Sequence, residues 1–494
     1  MKQDIAFFAA ALAIALAAVP GSASADPGLA VPGTVWDLPV MATWTDDPSS
    51  TATLAFERPV PCTALLRYEQ VDRSAVLAVP QDVPSYRHIY DIRGLRPGTT
   101  YSYSVSASDG YAQTGTFRTA PRPGDTNAAF SFILHNDLQG GIDVQAAAAV
   151  ADAIAAHEPD RLFVLSTGDL GDNRFSSDYP DCVLSWQRFF AATSNELASS
   201  IFLPVAGNHD EPENPGSFWY RVLEHPGDGR DFSFDIGPVR FIALAASEDE
   251  IPARTGWLAR ELQAAASDST VRWIIPVFHR PPYSWGEREG QAQVRDLWAP
   301  LFTRYEASLV LSGHAHAYQR LHPVDGVPYL VSAGGGGRLY PVDPGRPEIA
   351  FATSCYHYVR FDLAPDGSLT LAAKTPAGDV FDAHTYPAPR RHVQALPAFP
   401  RRGGLCTILY DPAGSPLADA DEIYLQAGSD DWRDVFLREP MQRLDDGRFS
   451  LTFTVPVAPK THISYCFRNG DASLWDNNHR QDWQTILAPP FTRE

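Results

Sequence analysis

Five short stretches in the middle of this chain carry most of its chemistry-bearing polar residues. They are His135-Asn-Asp137-Leu-Gln139, Gly168-Asp169-Leu-Gly-Asp172-Asn173, Gly207-Asn208-His209-Asp210, His279-Arg280-Pro-Pro-Tyr283 and Gly313-His314-Ala-His316. Asp carboxylates, an Asn amide oxygen and imidazoles form a mixed oxygen and nitrogen set suited to zinc, manganese or iron. No cysteine is included, so a soft all-thiolate site is excluded. A carboxylate can bridge two cations, and two cations about 3.5–4 Å apart can clamp both oxygens of an in-line phosphoryl displacement. Alone, a Gly-Asp is usually a turn and a single histidine a satisfied core or surface residue. All five together, in this order, are a much stronger signal.

The elements that must position these residues are legible beside them. Each motif follows a short apolar run, at 130–134, 162–165, 201–205, 273–278 and 308–311. The intervening stretches 143–157, 183–198, 255–266 and 291–305 have helical character. Strand, helix, strand repetition predicts an α/β layered domain over 126–390 with buried strands. Ligands bind at the carboxyl ends of strands in such sheets, so five strand ends can converge on one crevice.

On these motifs the chain resembles the calcineurin-like metallophosphoesterase superfamily, and within it the purple acid phosphatases and their bacterial relatives. Gly313-His-Ala-His-Ala-Tyr-Gln-Arg320, His279-Arg-Pro-Pro-Tyr283 and Tyr329-Leu-Val-Ser-Ala-Gly-Gly-Gly-Gly337 carry the likeness to that branch, which extends over residues 35–385. The resemblance implies two metal ions, of iron, zinc or manganese. Asp137, Asp169 and His316 would hold the first, Asp169 would bridge, and Asn208, His279 and His314 would hold the second. His209 would contact phosphate and protonate the leaving oxygen, a general-acid role. Asp210 either orients His209 or is a solvated cap. Arg280 and Tyr283 are candidate substrate contacts. The expected reaction is hydrolysis of phosphomonoesters of a phosphorylated small molecule, a hydroxide held by the metals attacking phosphorus. A phosphodiesterase of the same fold is the alternative. A glycan-binding protein with an inactive phosphoesterase domain is the alternative from another class.

Two positions depart from the family pattern. Gln139 stands where a histidine is frequent; its amide oxygen could ligate, or the side chain could only hydrogen-bond. Asp172 stands where purple acid phosphatases carry tyrosine, and could ligate the first metal or only hold the loop. Gly334–Gly337 lacks a Gly-Lys-Ser/Thr ending and reads as a tight turn near the metals. His135 reads as a core histidine or a neighbour of the site.

The flanks read as β structure. Residues 35–120 alternate in short runs, and Tyr101, Tyr103 and Val105 share one strand face after the Pro97-Gly98 turn. This resembles a fibronectin type III-like sandwich. A Pro- and Arg-rich linker over 391–403 leads to a second small β-sandwich at 404–494. Its Asp430-Asp-Trp432 and Trp475-Asp-Asn-Asn478-His-Arg-Gln-Asp482-Trp483 resemble a starch-binding carbohydrate-binding module, with Trp432, Trp475, Asn478, Asp482 and Trp483 as candidate contacts to a polysaccharide. The other reading makes these tryptophans core residues. The expected architecture is multi-domain: an N-terminal β-sandwich, a central α/β metallophosphoesterase layered sandwich and a C-terminal β-sandwich.

Composition agrees with a large globular chain. At 494 residues, domains of ~100–200 residues suggest about three. Acidic residues outnumber basic ones 59 to 39, a net charge of −20. That argues against a general nucleic-acid or anionic-membrane binder. Lys2, an apolar run over 5–19 and Ala23-Ser-Ala25 read as a signal peptide over 1–25. The expected location is periplasmic or extracellular, with no membrane attachment after cleavage. Five cysteines could then form disulfides. Cys406 with Cys466 is the expected pair; Cys182 with Cys355 is a second candidate, leaving Cys62 alone.

Overall fold

Strand alternation decides the layering. The computed structural model describes residues 36–73, 75–139, 144–173, 179–211, 217–245, 248–459 and 461–489; the segment 1–25 read as a signal peptide lies outside them. Strands β1–β5 span Leu38–Thr43, Thr51–Gln70, Leu77–Arg93, Thr100–Ala107 and Ala112–Arg118. Then β6 Phe130–Leu134, β7 Phe163–Ser166 and β8 Ile201–Pro204 alternate with α1 Val144–His157 and α2 Tyr179–Ala198. After α3 Phe218–Val222 come β9 Asp231–Ile236, β10 Val239–Leu244, α4 Ile251–Ser267 and β11 Trp273–Phe278. The short helices α5 Ala292–Leu297 and α6 Ala299–Arg304 lead to β12 Val310–Ser312, β13 Tyr318–Leu321, β14 Tyr329–Ser332 and β15 Ile349–Thr353. Strands β16 Tyr358–Leu363, β17 Leu369–Lys374 and β18 Val380–Tyr386 end the middle region.

Two sheets face each other. The first has 11 strands in the order β18-β17-β16-β6-β7-β8-β1-β2-β4-β5, with β3 also on β2; the second runs β15-β13-β14-β12-β11-β10-β9. In β6, Phe130, Phe132 and Leu134 point into the core between the sheets, together with Phe241, Ile275 and Leu311 of the second. Ile133 points the other way, onto Val150 and Ile154 of α1 and Trp186 of α2. The second sheet does the same with Ile242 and Ile274 against Leu258 and Leu262 of α4. The result is a helix, sheet, sheet, helix stack. Strands β6, β7 and β8 are parallel to one another, as are β10, β11, β12 and β14, which sets their carboxyl ends side by side.

The N-terminal strands do not stand apart as a separate sandwich. They hydrogen-bond into the first sheet, through parallel pairing of β1 with β8 at Ala42 and Ile201. The reason is in β1, which is buried on both faces: Val40 and Ala42 join the inter-sheet core while Leu38 and Met41 join the helix side. Such a strand needs neighbours on both edges.

The C-terminal region does form two sheets around one core. Strands β19 Val393–Leu396, β20 Leu405–Tyr410, β21 Ile423–Ser429, β22 Asp434–Pro440, β23 Gln442–Arg443, β24 Phe449–Thr454, β25 His462–Asn469, β26 Trp475–Asp476 and β27 Trp483–Ile486 build it. The stretch read as a linker is therefore partly strand, since β19 pairs antiparallel with β20. It is also anchored: Arg391 Nη2 donates to Arg272 O at 3.2 Å, and His392 N donates to Glu306 Oε2 at 3.0 Å. Gln263 of α4 exchanges bonds with the Ile486 backbone, donating at 3.0 Å and accepting at 2.6 Å.

Three expectations for this region are corrected. Trp483 is 5% exposed and packs in the sandwich core, so it is no sugar platform. Asn478 is buried, its Nδ2 donating to Thr303 O of α6 at 3.2 Å, and Asp482 accepts from Trp432 Nε1 at 2.8 Å. Of the three tryptophans Trp475 is the most exposed, at 41%, and Trp432 is half-buried. The third concerns the disulfides: all five cysteines are unbonded. Cys406 shares its strand face with Ile408 and Tyr410, in the core. Cys466 alternates with Tyr465 and Phe467, which are in that core, so its side chain leaves from the other face of its sheet.

Two measurements follow. In the full chain, Trp483→Ala should cost the C-terminal sandwich ~3–5 kcal/mol in urea unfolding, whereas Trp475→Ala should stay within ~0.5 kcal/mol. Second, burial lowers His225 and His357 to about 4. His225 stacks on Trp219 with centroids 4.6 Å apart, and its Nδ1 has no partner to receive a proton's charge. Unfolded, these histidines bind protons near pH ~6.5. Between about 4 and ~6.5 the unfolded chain binds more protons, so stability rises with pH there and is lost as pH falls. Unfolding free energies at pH 7 and pH 4.5 should differ in that direction, and His225→Phe should shallow the slope.

Candidate metal centre

The site lies where the carboxyl ends of the two sheets meet. Asp137 follows β6, Asp169 follows β7, and Asn208 with His209 follows β8, so the first sheet supplies the oxygens. His279 follows β11, and His314 and His316 follow β12, so the second sheet supplies the imidazoles. Asp137, Asp169 and His314 leave their strands with φ of 61°, 57° and 70°. Left-handed backbone at non-glycine residues costs free energy and concentrates at functional sites. Here it turns the side chains sharply inward. Glycines make the room: a Cβ on Gly313 would collide with Asp137 Oδ2, and one on Gly207 with Asp169 Oδ1.

Two groups of side chains have ligand atoms close enough to hold one metal ion each, namely Asp169, His279 and His314, and Asp137, Asp169 and His316. Asp169 is common to both. Its Oδ2 lies 3.0 Å from His279 Nε2, and Asp137 Oδ1 lies 3.5 Å from His316 Nε2. Both imidazoles have their other nitrogen engaged: His279 Nδ1 donates to Thr167 O at 3.1 Å and His316 Nδ1 to Arg338 O at 2.8 Å. With Nδ1 of each ring so occupied, Nε2 is left as the ligating nitrogen and is turned toward a carboxylate, the outer-sphere arrangement of a metal-binding histidine. The buried oxygens Asp137 Oδ2, Gln139 Oε1 and Asn208 Oδ1 also have no donor. The residues present therefore fit a pair of cations.

Electrostatics point the same way. Burial, and then the charge of Asp169, push the Asp137 carboxyl well above the usual range. Burial acts likewise on Asp169, but the imidazoles of His279 and His209 overcome it and hold its carboxyl well below. Burial, with His279 and Arg280, holds His314 well below its ordinary value, and burial lowers His316 to about 4. Neutral His314 and His316 and an ionised Asp169 are the protonation states that metal ligation requires, and a cation beside Asp137 would offset the burial and repulsion that raise it.

The remaining candidates divide. His209 is half-buried at the opening, with Nε2 3.7 Å from Asp169 Oδ2 and Nδ1 3.0 Å from Asp172 Oδ2. Asp172 thus orients His209, the task first assigned to Asp210. Asp210 instead accepts from the backbone N–H groups of Asp169, Leu170, Gly171 and Gly207 at 2.7–3.1 Å, which pins the loop that carries Asp169. Gln139 Nε2 lies 3.2 Å from Asp169 Oδ2 and 3.0 Å from His316 Nε2, beside the group of Asp137, Asp169 and His316. Arg280 Nη1 is 3.4 Å from His314 Nε2. Tyr283 does not turn to the site: it packs edge-on against Tyr329 at the opposite end of β14, centroids 5.1 Å apart. His135 is fully buried with Glu196 at 3.1 Å and belongs to neither ligand group.

Several supporting groups carried no usable sequence signal. Thr167 and Arg338 act through backbone carbonyls, which any residue possesses. Tyr340, whose ring lies on His316, is marked only as an aromatic after the glycine run.

Residues 130–318 match the family model described as calcineurin-like phosphoesterase. The chain carries a calcineurin-like phosphoesterase domain. Purple acid phosphatase 23 of Arabidopsis thaliana is 23% identical over 293 residues, covering 51% of this chain and 62% of the relative. Acid phosphatase type 7 of Homo sapiens is 24% identical over 302 residues, covering 54% and 63%. An uncharacterized protein of Mycobacterium tuberculosis is 26% identical over 272 residues, covering 48% and 50%. The chain thus spans about half to two thirds of the length of these curated relatives. Among solved structures, a purple acid phosphatase from yellow lupin (Lupinus luteus) seeds matches with a TM-score of 0.57 at 17% identity, over 71% of this chain and 74% of that one. PhoD matches with a TM-score of 0.55 at 12% identity, over 73% and 90%. At those identities the likeness is one of fold.

The role of Asp210 can be checked directly. Asp210→Asn offers one oxygen where two now take four N–H groups, and turns an amide N–H₂ toward donors. Each stranded donor should cost ~1–3 kcal/mol. The melting temperature should fall clearly, while Asp172→Asn, which leaves the loop backbone bonded, should change it little.

Proposed function

We propose that this chain is an exported dinuclear-metal phosphoesterase that hydrolyses phosphomonoesters. The observation that carries the reading is the pair of ligand groups joined by Asp169 at the carboxyl ends of two facing sheets. Asp137, Asp169 and His316 would hold the first cation, and Asp169, Asn208, His279 and His314 the second. Bound there, two iron, zinc or manganese ions would stabilise the charge that builds on a phosphoryl group as water displaces the alcohol. His209, oriented by Asp172, donates a proton from Nε2 to the leaving oxygen. Arg280, beside His314, is placed to hold a phosphoryl oxygen. The relatives named as acid phosphatases support a monoester over a diester substrate. Export rests on the sequence of residues 1–25, and no helix among the described residues is long and apolar enough to cross a membrane.

The test has three parts. Metal analysis of the purified chain should find two ions, and an aryl phosphate monoester should be turned over faster than an aryl diester. Asp169→Ala should lose both ions and nearly all activity; near-normal turnover with two ions still bound would overturn the assignment. His209→Ala should keep both ions and slow the reaction by ~10²–10⁴-fold, with a smaller loss when the leaving group needs no proton. Full metal content in the wild type with no activity on any ester would favour an inactive phosphoesterase domain.

A further inference from the structure

The loop from Gly337 to Tyr340 grips the candidate centre at several points that no reaction step uses. Gly337 N donates to Asp137 O at 2.8 Å, and Tyr340 N donates to His316 O at 2.8 Å. Arg338 O accepts from His316 Nδ1 at 2.8 Å. A Cβ on Gly337 would come within 2.7 Å of the His316 ring, so only glycine lets the loop pass this close. Finally, the Tyr340 ring lies flat on the His316 imidazole, with centroids 4.3 Å apart and planes 1° apart. Asp137 and His316 are the two members of their ligand group that the other group does not share.

We propose that Tyr340 is a positioning residue that sets the affinity of the first cation, and not of the second, by fixing the plane of the His316 imidazole. An imidazole ligates along a lone pair that lies in the ring plane, so tilting the ring misdirects the donor. The Nδ1–H bond to Arg338 O holds one point of the ring but permits rotation about that bond. The flat aromatic stack removes the rotation. The Arg338 guanidinium, 4.7 Å from the Tyr340 centroid, adds a cation–π contact that steadies the tyrosine in turn. On the other side of the centre His279 and His314 meet edge-on at 79°, and are held by Thr167 O and Arg280 instead. Loss of Tyr340 should therefore act on one cation only.

The inference rests on the two-cation reading, and the experiment separates the two. Full-length wild type, Tyr340→Phe, Tyr340→Leu and Tyr340→Ala are stripped with a chelator and titrated with Mn²⁺ by calorimetry, with melting curves recorded for each. Wild type should bind two ions. Tyr340→Phe keeps the ring and should match it at both sites. Tyr340→Ala and Tyr340→Leu should keep one site unchanged and weaken the other by ~10–100-fold, the usual effect of removing an outer-sphere support. Wild-type affinity at both sites in Tyr340→Ala would overturn the proposal, as would equal weakening of both sites with an unchanged melting temperature. Should Tyr340→Ala fail to fold, Tyr340→Leu keeps apolar cover over the ring and decides the matter alone. Fewer than two ions in the wild type would sink the two-cation reading, not the role of Tyr340 beside His316.

Discussion

One buried carboxylate, Asp169, sets the terms for the rest of the molecule. It is 1% exposed, stands beside the fully buried Asp137, and faces His279 Nε2 at 3.0 Å. Two carboxylates buried together repel one another and have lost their hydration. Their stability depends on compensation by imidazoles and backbone N–H groups, to which bound cations would add. Asp169 receives His209 N at 2.8 Å on Oδ1, and Asp137 receives His314 N at 3.0 Å on Oδ1. The left-handed φ at both residues shows that the backbone bears strain to keep the carboxylates where they are.

The chemistry is divided between the sheets. The candidate oxygen ligands follow β6, β7 and β8 of the first sheet, and the candidate imidazoles follow β11 and β12 of the second. A metal pair held this way would depend on how the two sheets sit on each other. The inter-sheet core of Phe132, Phe163, Phe241, Ile275 and Leu311, all fully buried, therefore fixes ligand geometry as well as stability.

The flanking regions serve that same constraint. The N-terminal strands prolong the first sheet through β1, so its edge at β8 is paired. The C-terminal sandwich braces the helices on the outer side of the second sheet through Gln263 of α4, the Thr303 and Arg304 carbonyls of α6, and Arg391. Asn478, which reads in the sequence as a sugar contact, is one of those braces. The C-terminal region is a structural part of the scaffold as well as a compact sandwich of its own.

What the sequence alone determined is local. Apolar runs ending in Asp169, Asn208, His279 and His314 are legible because strand formation and the need for polar residues at a strand end both act within a few residues. The four helical stretches and the five motif-bearing strands of the middle region follow from the same local periodicity, whereas β9, β10, β13 to β18 and the short α3 are not read from it. Only the tertiary structure decided what depends on which face points where, across tens or hundreds of residues. It turned Tyr283 toward Tyr329, sank Trp483 into the sandwich core and sent Cys406 and Cys466 to different faces. It exchanged the expected duties of Asp172 and Asp210, most of whose partners named above lie 37 to 41 residues away. It joined the N-terminal strands to the first sheet, and brought Tyr340 onto His316. Residue type states which bonds a side chain can make; strand parity, sheet packing and the left-handed turns at Asp137, Asp169 and His314 select the bonds it does make.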